Sequence, residues 1–297
     1  MTSALFKPEC LWPLGAELGE GPLWMAEAGQ LWFVDILGRQ VHRCAADGED
    51  RRSWAMPQRV GFVLPLAAGS GEFVVGLQGG LQRFKPATGE LTPLLDVERH
   101  QPHNRINDGH VDASGRLWFG TMHLDAAQPT GTLYRLSALG TLMPSDGPYA
   151  CTNGPAFSPD GRTLYHTDTM RGQVFAFDVG DSGNLSAKRL LLQVQDGYPD
   201  GTAVDAEGHL WIALFGGGRI ERYTPQGRRV QTLPMPCSNI TKLAFGGADL
   251  HTAFVTTARN GLDARQQAEQ PLAGGLFSFR VDTPGLPQHA ITEGIKP

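Results

Sequence analysis

Four oxygen-bearing side chains recur at one phase of this 297-residue chain: Glu20, Asn107, Asn153 and Asp200. Each is followed by Gly immediately or one residue later. Each lies eleven or twelve residues ahead of an aromatic residue in a β-type run: Trp32, Trp118, Tyr165 and Trp211. Two carboxylates and two carboxamides make a hard, oxygen-rich donor set. It suits one divalent cation held by few protein ligands, with positions left for water and substrate; Ca2+, Zn2+, Mn2+, Mg2+ and Fe2+ are all admissible. A single Asx-Gly or Glu-Gly pair is an ordinary turn, but four at one phase require a shared reason.

Other chemistries lack their residues. Nine histidines include His103, His110, His123 and His166, but no HExxH or HxH spacing, so a histidine-rich zinc hydrolase is not indicated. His110 and His166 fall inside strand patterns. His123 follows Gly-Thr-Met past a strand and is a candidate to face a pocket. The chain has no Gly-x-Ser-x-Gly elbow for a serine esterase. Gly216-Gly-Gly is followed by neither Lys-Ser/Thr nor a helix, so it is a loop and not a phosphate cradle.

The elements that must bring the four oxygens together form a repeat. The markers Trp32, Val74, Trp118, Tyr165, Trp211 and Phe254 are spaced by 42, 44, 47, 46 and 43 residues. In each copy a short strand comes first, such as Gly109–Asp112 or Pro155–Ser158. A Gly-rich turn, the aromatic strand and a third alternating strand follow. Examples of the third strand are Gln40–Cys44, Gly80–Phe84, Gly131–Leu136 and Arg219–Tyr223. A fourth strand is visible at Arg51–Trp54, Glu90–Leu94, Ala187–Leu192 and Arg229–Leu233. Period-two alternation bounded by Gly marks half-buried antiparallel strands. Six copies of about 45 residues predict an all-β, six-bladed β-propeller with mostly four antiparallel strands per blade. The run Cys10–Leu14 is expected to complete the last blade, and residues 1–297 to form one domain. The one helical candidate is 263–270. In such a ring the first strand of each blade lines the central channel, so residues of equal phase meet at one level. Blade two offers Gly61 or Phe62 there, and blade six offers Lys242, close to Thr241 and Asn239.

Composition narrows the partners. A net charge of −5, a pI near 6 and no basic block argue against nucleic acid and anionic membranes. No eighteen-residue apolar run is present, and the first ten residues lack the pattern of a signal peptide. Four cysteines, more than thirty residues apart, read as free thiols of a reducing compartment. The expectation is a soluble cytoplasmic protein, a monomer or weak homodimer.

The motifs Glu20-Gly-Pro, Arg105-Ile-Asn-Asp-Gly, Gly115-Arg-Leu-Trp-Phe-Gly-Thr-Met, Asn153-Gly-Pro, Pro199-Asp-Gly, Phe245-Gly-Gly-Ala-Asp-Leu and Pro271-Leu-Ala-Gly-Gly resemble the regucalcin/gluconolactonase family of sugar-lactone hydrolases. Within it they resemble bacterial aldonolactonases such as xylonolactonase. The resemblance runs from about residue 10 to 280. It implies metal ligation by Glu20, Asn153 and Asp200. It implies substrate contacts by Arg105 and Asn107, with Asn107 also near the metal. An acidic substrate contact falls on Asp125, one methylene shorter than the family's Glu, and His123 replaces a small residue. The implied reaction is hydrolysis of a pentono- or gluconolactone to the aldonic acid, the metal polarising the carbonyl and Asp200 assisting water attack. Asp125, His123, Tyr149 and Phe215 are candidates to read stereochemistry. Two alternatives are an organophosphate-hydrolysing metal propeller and a propeller that serves only as an interaction platform.

Overall fold

The structure is a computed structural model that describes residues 6–137 and 139–292. Its strands, numbered β1 to β24 along the chain, form six four-stranded antiparallel sheets. These are the six blades the repeat implies. Five are built from consecutive strands. The sixth joins β22 (Ile240–Gly246), β23 (Thr252–Thr257) and β24 (Leu276–Arg280) to β1 (Glu9–Trp12). The N-terminal strand therefore closes the ring, with Cys10 opposite Phe277. Helix α1 (Ala264–Glu269) lies in the loop before β24 and starts with a capping box at Asp263.

The inner turns explain why two blades carry the same Asp-x-x-Gly-x-Leu-Trp pattern. Asp112 accepts the backbone N–H of Ser114 and Arg116 and the indole N–H of Trp118. Asp205 does the same with Glu207, His209 and Trp211. One buried carboxylate thus sets the turn and orients the aromatic residue of the next strand. An arginine closes each motif over the indole: Arg135 lies 5.7 Å from the Trp118 ring and Arg222 lies 5.4 Å from that of Trp211.

Aromatic side chains also bridge neighbouring blades. Trp32 meets Phe73 at 4.4 Å, Trp118 meets Phe157 at 5.7 Å, Trp211 meets Phe245 at 5.5 Å and Trp24 meets Phe254 at 5.4 Å. Each such pair contributes about 0.5–1.5 kcal/mol beyond its buried area. They hold the blades at fixed angles around the axis.

One outer strand escapes the sequence pattern. β13 (Leu142–Tyr149) carries two prolines and a glycine and reads as a loop. It pairs with β12 (Gly131–Leu136) with two register shifts. Proline is tolerated because this is an edge strand, where N–H groups need no partner.

His166 lies on β15 (Thr163–Asp168), wholly buried, its ring edge-on to Tyr149 at 4.9 Å and neither nitrogen hydrogen-bonded. Burial pushes its pKa down from 6.5 to about 3. The folded state accepts only the neutral ring, so its contribution to stability is complete above pH 6.5 and is lost as pH falls toward 3. Urea unfolding of the wild type and of His166→Phe at pH 7 and pH 5 measures this. The variant is expected to gain about 2 kcal/mol relative to the wild type over that interval. A constant difference would show that His166 does not titrate as described.

Candidate active site

The innermost strands are β2 (Gly19–Met25), β6 (Val60–Leu66), β10 (Asn104–Val111), β14 (Thr152–Phe157), β18 (Tyr198–Val204) and β22. In all six, the pairing with the second strand slips at the same phase. Glu20 and Leu23 oppose Val34 and Trp32, so three steps on β2 span two on its partner. The same excess of one residue occurs after Ile106, Asn153 and Pro199, and at Gly61 and Thr241 in blades two and six. Each slip is a β-bulge, which bends the strand and re-aims side chains. The short first strands expected at Gly109–Asp112 and Pro155–Ser158 are therefore corrected. They begin earlier, and Asn107 and Asn153 sit inside them, because the bulge hides strand periodicity where these side chains are placed.

The six bulges bring Glu20, Asn107, Asn153 and Asp200 to one end of the channel. With Arg105 and Asp125 they line a single cavity of about 580 Å³. Phe215 and Tyr198 line it too. His123 and Tyr149 are not in its wall. The His123 ring packs against His103 at 6.2 Å, and its Nδ1 accepts the Asp125 N–H at 3.2 Å, which steadies the loop that carries Asp125. The Tyr149 hydroxyl is tied to Asp146, and its ring to His166.

A directed relay fixes the amides. Arginine can only donate, so the atom of Asn107 that faces Arg105 Nη1, 2.6 Å away, is Oδ1. Its Nδ2 then donates to Thr152 O at 2.6 Å and to Asn153 Oδ1 at 3.1 Å, and Asn153 Nδ2 donates to Thr169 Oγ1 at 2.9 Å. Each amide oxygen thus accepts one hydrogen bond, that of Asn107 from Arg105 and that of Asn153 from Asn107, and Asn153 lines the cavity with Glu20 and Asp200. Arg105 is buried with no partner on Nε, and burial lowers its pKa to about 10.

The carboxylates are held under strain. Glu20 Oε2 accepts the Gly21 N–H at 2.6 Å, but Oε1 is buried without a donor. Among the described residues no hydrogen bond reaches the Asp200 carboxylate. Burial, then Asp108, raises the pKa of Glu20 to about 7; burial, then Glu20 and Asp108, pushes Asp200 well above its ordinary value. A dication against these oxygens reverses both directions, because it favours the ionised form. No cluster of three His, Cys, Asp or Glu side chains arranged for a metal is found among the described residues. The fit instead rests on two carboxylates and the Asn153 amide. An orphaned carboxylate oxygen beside an unbonded carboxylate is what a hard divalent ion would satisfy.

Asp108 and Lys242 complete the axis. In the sequence, Lys242 stands at the right phase without a visible partner, and Asp108 is hidden inside Asn-Asp-Gly. The Lys242 ammonium bonds Asp108 Oδ1 in the channel, 134 residues away. Asp108 also accepts the N–H of Gly109 at 2.7 Å and of Gly154 at 3.1 Å. A Cβ at Gly201 would lie 2.4 Å from Lys242 Cγ, so glycine beside Asp200 makes room for the lysine stem. Lys242 and Thr202 line a second cavity, of about 280 Å³, toward the opposite end of the channel. There the C-terminal segment runs across, Ile291 N–H bonding Pro65 O at 2.9 Å.

A six-bladed propeller with an oxygen-rich cavity at one end of its axis defines the class of this protein. Residues 18–259 match the family model described as the SMP-30/Gluconolactonase/LRE-like region, and the chain belongs to that family. An L-arabinolactonase of Azospirillum brasilense is 37% identical over 277 residues, 91% of this chain and 90% of that protein. A 6-deoxy-6-sulfogluconolactonase of Pseudomonas putida is 34% identical, covering 90% and 92%. Among solved structures, a calcium-binding regucalcin from Agrobacterium tumefaciens superposes with a TM-score of 0.92 at 29% identity, over 96% of this chain and 97% of that one. With lactonases among its relatives, the chain is an enzyme of the lactonase type.

Removing one partner of a buried ion pair costs about 3–5 kcal/mol, whereas replacing both is often neutral. Lys242→Met is therefore expected to lower urea-unfolding stability in chelator by that amount, and Asp108→Asn/Lys242→Met to recover most of it. Equal losses in the single and double variants would show that the pair is not coupled.

Proposed function

We propose that this protein hydrolyses sugar lactones, of the pentono- or gluconolactone type, to aldonic acids, with one divalent cation held by Glu20, Asn153 and Asp200. The observation that carries the reading is the orphaned Glu20 Oε1 beside the unbonded Asp200 carboxylate in the cavity that Arg105 lines. The likeness to a calcium-binding relative supports a divalent ion and leaves open which one. When bound, the cation supplies Lewis acidity that polarises the lactone carbonyl and stabilises the developing oxyanion.

The chain's own residues do the rest. Arg105, fixed by Asn107 and the Ile106 carbonyl at 3.2 Å, orients the substrate through its unpartnered N–H groups. Asp200 has carboxylate capacity that no protein donor uses, and takes the proton from the attacking water. The water oxygen bonds to the carbonyl carbon, collapse of that adduct breaks the ring C–O bond, and the ring oxygen leaves as a hydroxyl by receiving the proton that Asp200 took. Asp125 is exposed at the mouth with its side chain unpaired among the described residues, and it accepts a sugar hydroxyl. His123 acts at one remove, through the loop of Asp125. Asn107, whose oxygen and amide N–H groups are engaged by protein, serves the substrate by positioning Arg105. The protein works as one domain, a monomer or weak homodimer, in the cytoplasm; its four free cysteines agree with a reducing compartment.

General-base loss typically costs 10²–10⁴ in rate. Asp200→Asn is therefore expected to lower kcat on sugar lactones at least about 100-fold, and Glu20→Gln to weaken cation binding in titration calorimetry. Chelator should abolish turnover and a divalent cation restore it. Undiminished hydrolysis above the spontaneous background in chelator would remove the cation from the reaction, and normal rates in both variants would move the site elsewhere.

A further inference from the structure

Blade two contributes no oxygen to the axis: its bulge falls on Gly61, whose Cβ would lie 2.1 Å from Asn107 O. What it contributes is Arg59, the residue just before β6. Arg59 is half-buried and lines the same cavity as Glu20, Arg105 and Asp200. The other half-buried arginines are all answered by carboxylates, as Arg83 is by Glu72, Arg116 by Asp112 and Arg219 by Glu221. Among the described residues, no carboxylate and no hydrogen-bond acceptor engages the Arg59 guanidinium. It also sits close enough to Arg105 for its charge to help depress that group, after burial.

Two guanidiniums in one wall repel each other, and a guanidinium does not shed its charge. A dication on Glu20 and Asp200 makes the imbalance larger. Asp125, exposed at the mouth, is then the only carboxylate lining the cavity that is not committed to the ion. The loaded cavity is therefore electropositive, with five planar donors of Arg59 unused.

We propose that Arg59 binds an anionic group of the substrate, and that the preferred lactone carries an oxyanion (sulfonate, phosphate or carboxylate) on its carbon chain outside the ring. This rests on the lactonase reading and narrows its substrate class. The guanidinium forks onto two oxyanion atoms while Arg105 and Asp200 address the ring carbonyl, so one end of the substrate anchors while the other reacts.

The test compares kcat/KM of the cation-loaded wild type, Arg59→Gln and Arg59→Lys on gluconolactone and on the same lactone bearing a 6-phosphate, a 6-sulfonate or a 6-carboxylate. The wild type is expected to favour at least one anionic lactone by about tenfold or more, the scale of one charge-assisted contact. In Arg59→Gln the ratio of anionic to neutral kcat/KM should fall at least about tenfold, chiefly through KM, and Arg59→Lys should restore part of it. An unchanged ratio, or a wild type that favours the neutral lactone, overturns the proposal. If no lactone is hydrolysed, the lactonase reading fails separately. Titration calorimetry with gluconate 6-phosphate and gluconate then decides: tighter binding of the phosphate that is lost in Arg59→Gln supports the anion site, and equal binding overturns it.

Discussion

Three carboxylates, Glu20, Asp108 and Asp200, are buried around one axis, and Lys242 and Arg105 are the cations that favour ionisation of Glu20 and Asp200. Each ionised carboxylate taken from water costs several kcal/mol unless it is paired and hydrogen-bonded. The protein answers one of the three fully: Asp108 receives Lys242 and two backbone N–H groups. It leaves the other two underpaired at the cavity. That division pairs the charge at Asp108 and leaves the carboxylates of Glu20 and Asp200 at the cavity with protein-free capacity.

The ring exists to impose this crowding. Glu20 and Asp200 lie 180 positions apart and meet only because six blades close on β1. The aromatic pairs between blades and the aspartate-set turns at Trp118 and Trp211 keep each innermost strand at a fixed depth. The bulge common to those strands lies where four of them present Glu20, Asn107, Asn153 and Asp200 to the cavity. Strands, not loops, therefore carry the four oxygen-bearing side chains of the cavity. Asp125, Phe215 and Arg59, by contrast, reach the cavity from strand ends and loops.

Much of this was legible in the sequence, for definite reasons. Spacing between Trp32 and Phe254 reported the blades, because each must bury an aromatic strand. Phase singled out Glu20, Asn107, Asn153 and Asp200, because a radial repeat converts phase into position. The bulges were not legible, since an extra residue breaks the alternation that marks a strand; hence the strands appeared to start after Asn107 and Asn153. β13 was hidden by its prolines. His123 was adjacent in sequence to the cavity loop, but its ring follows His103 instead. The Lys242–Asp108 pair required knowing that Asp108 points down the channel while Asn107 turns to Arg105, a distinction between neighbours that phase alone does not make. Arg59 lay off the phase altogether, and only its missing partner draws attention to it.

The claim on which everything else turns is that Glu20, Asn153 and Asp200 hold one divalent cation. Anomalous diffraction from crystals soaked in Mn2+ tests it directly. A single strong peak within about 2.6 Å of oxygens from these three residues is the expected result. A site without a peak, or an ion held by other side chains, would contradict it.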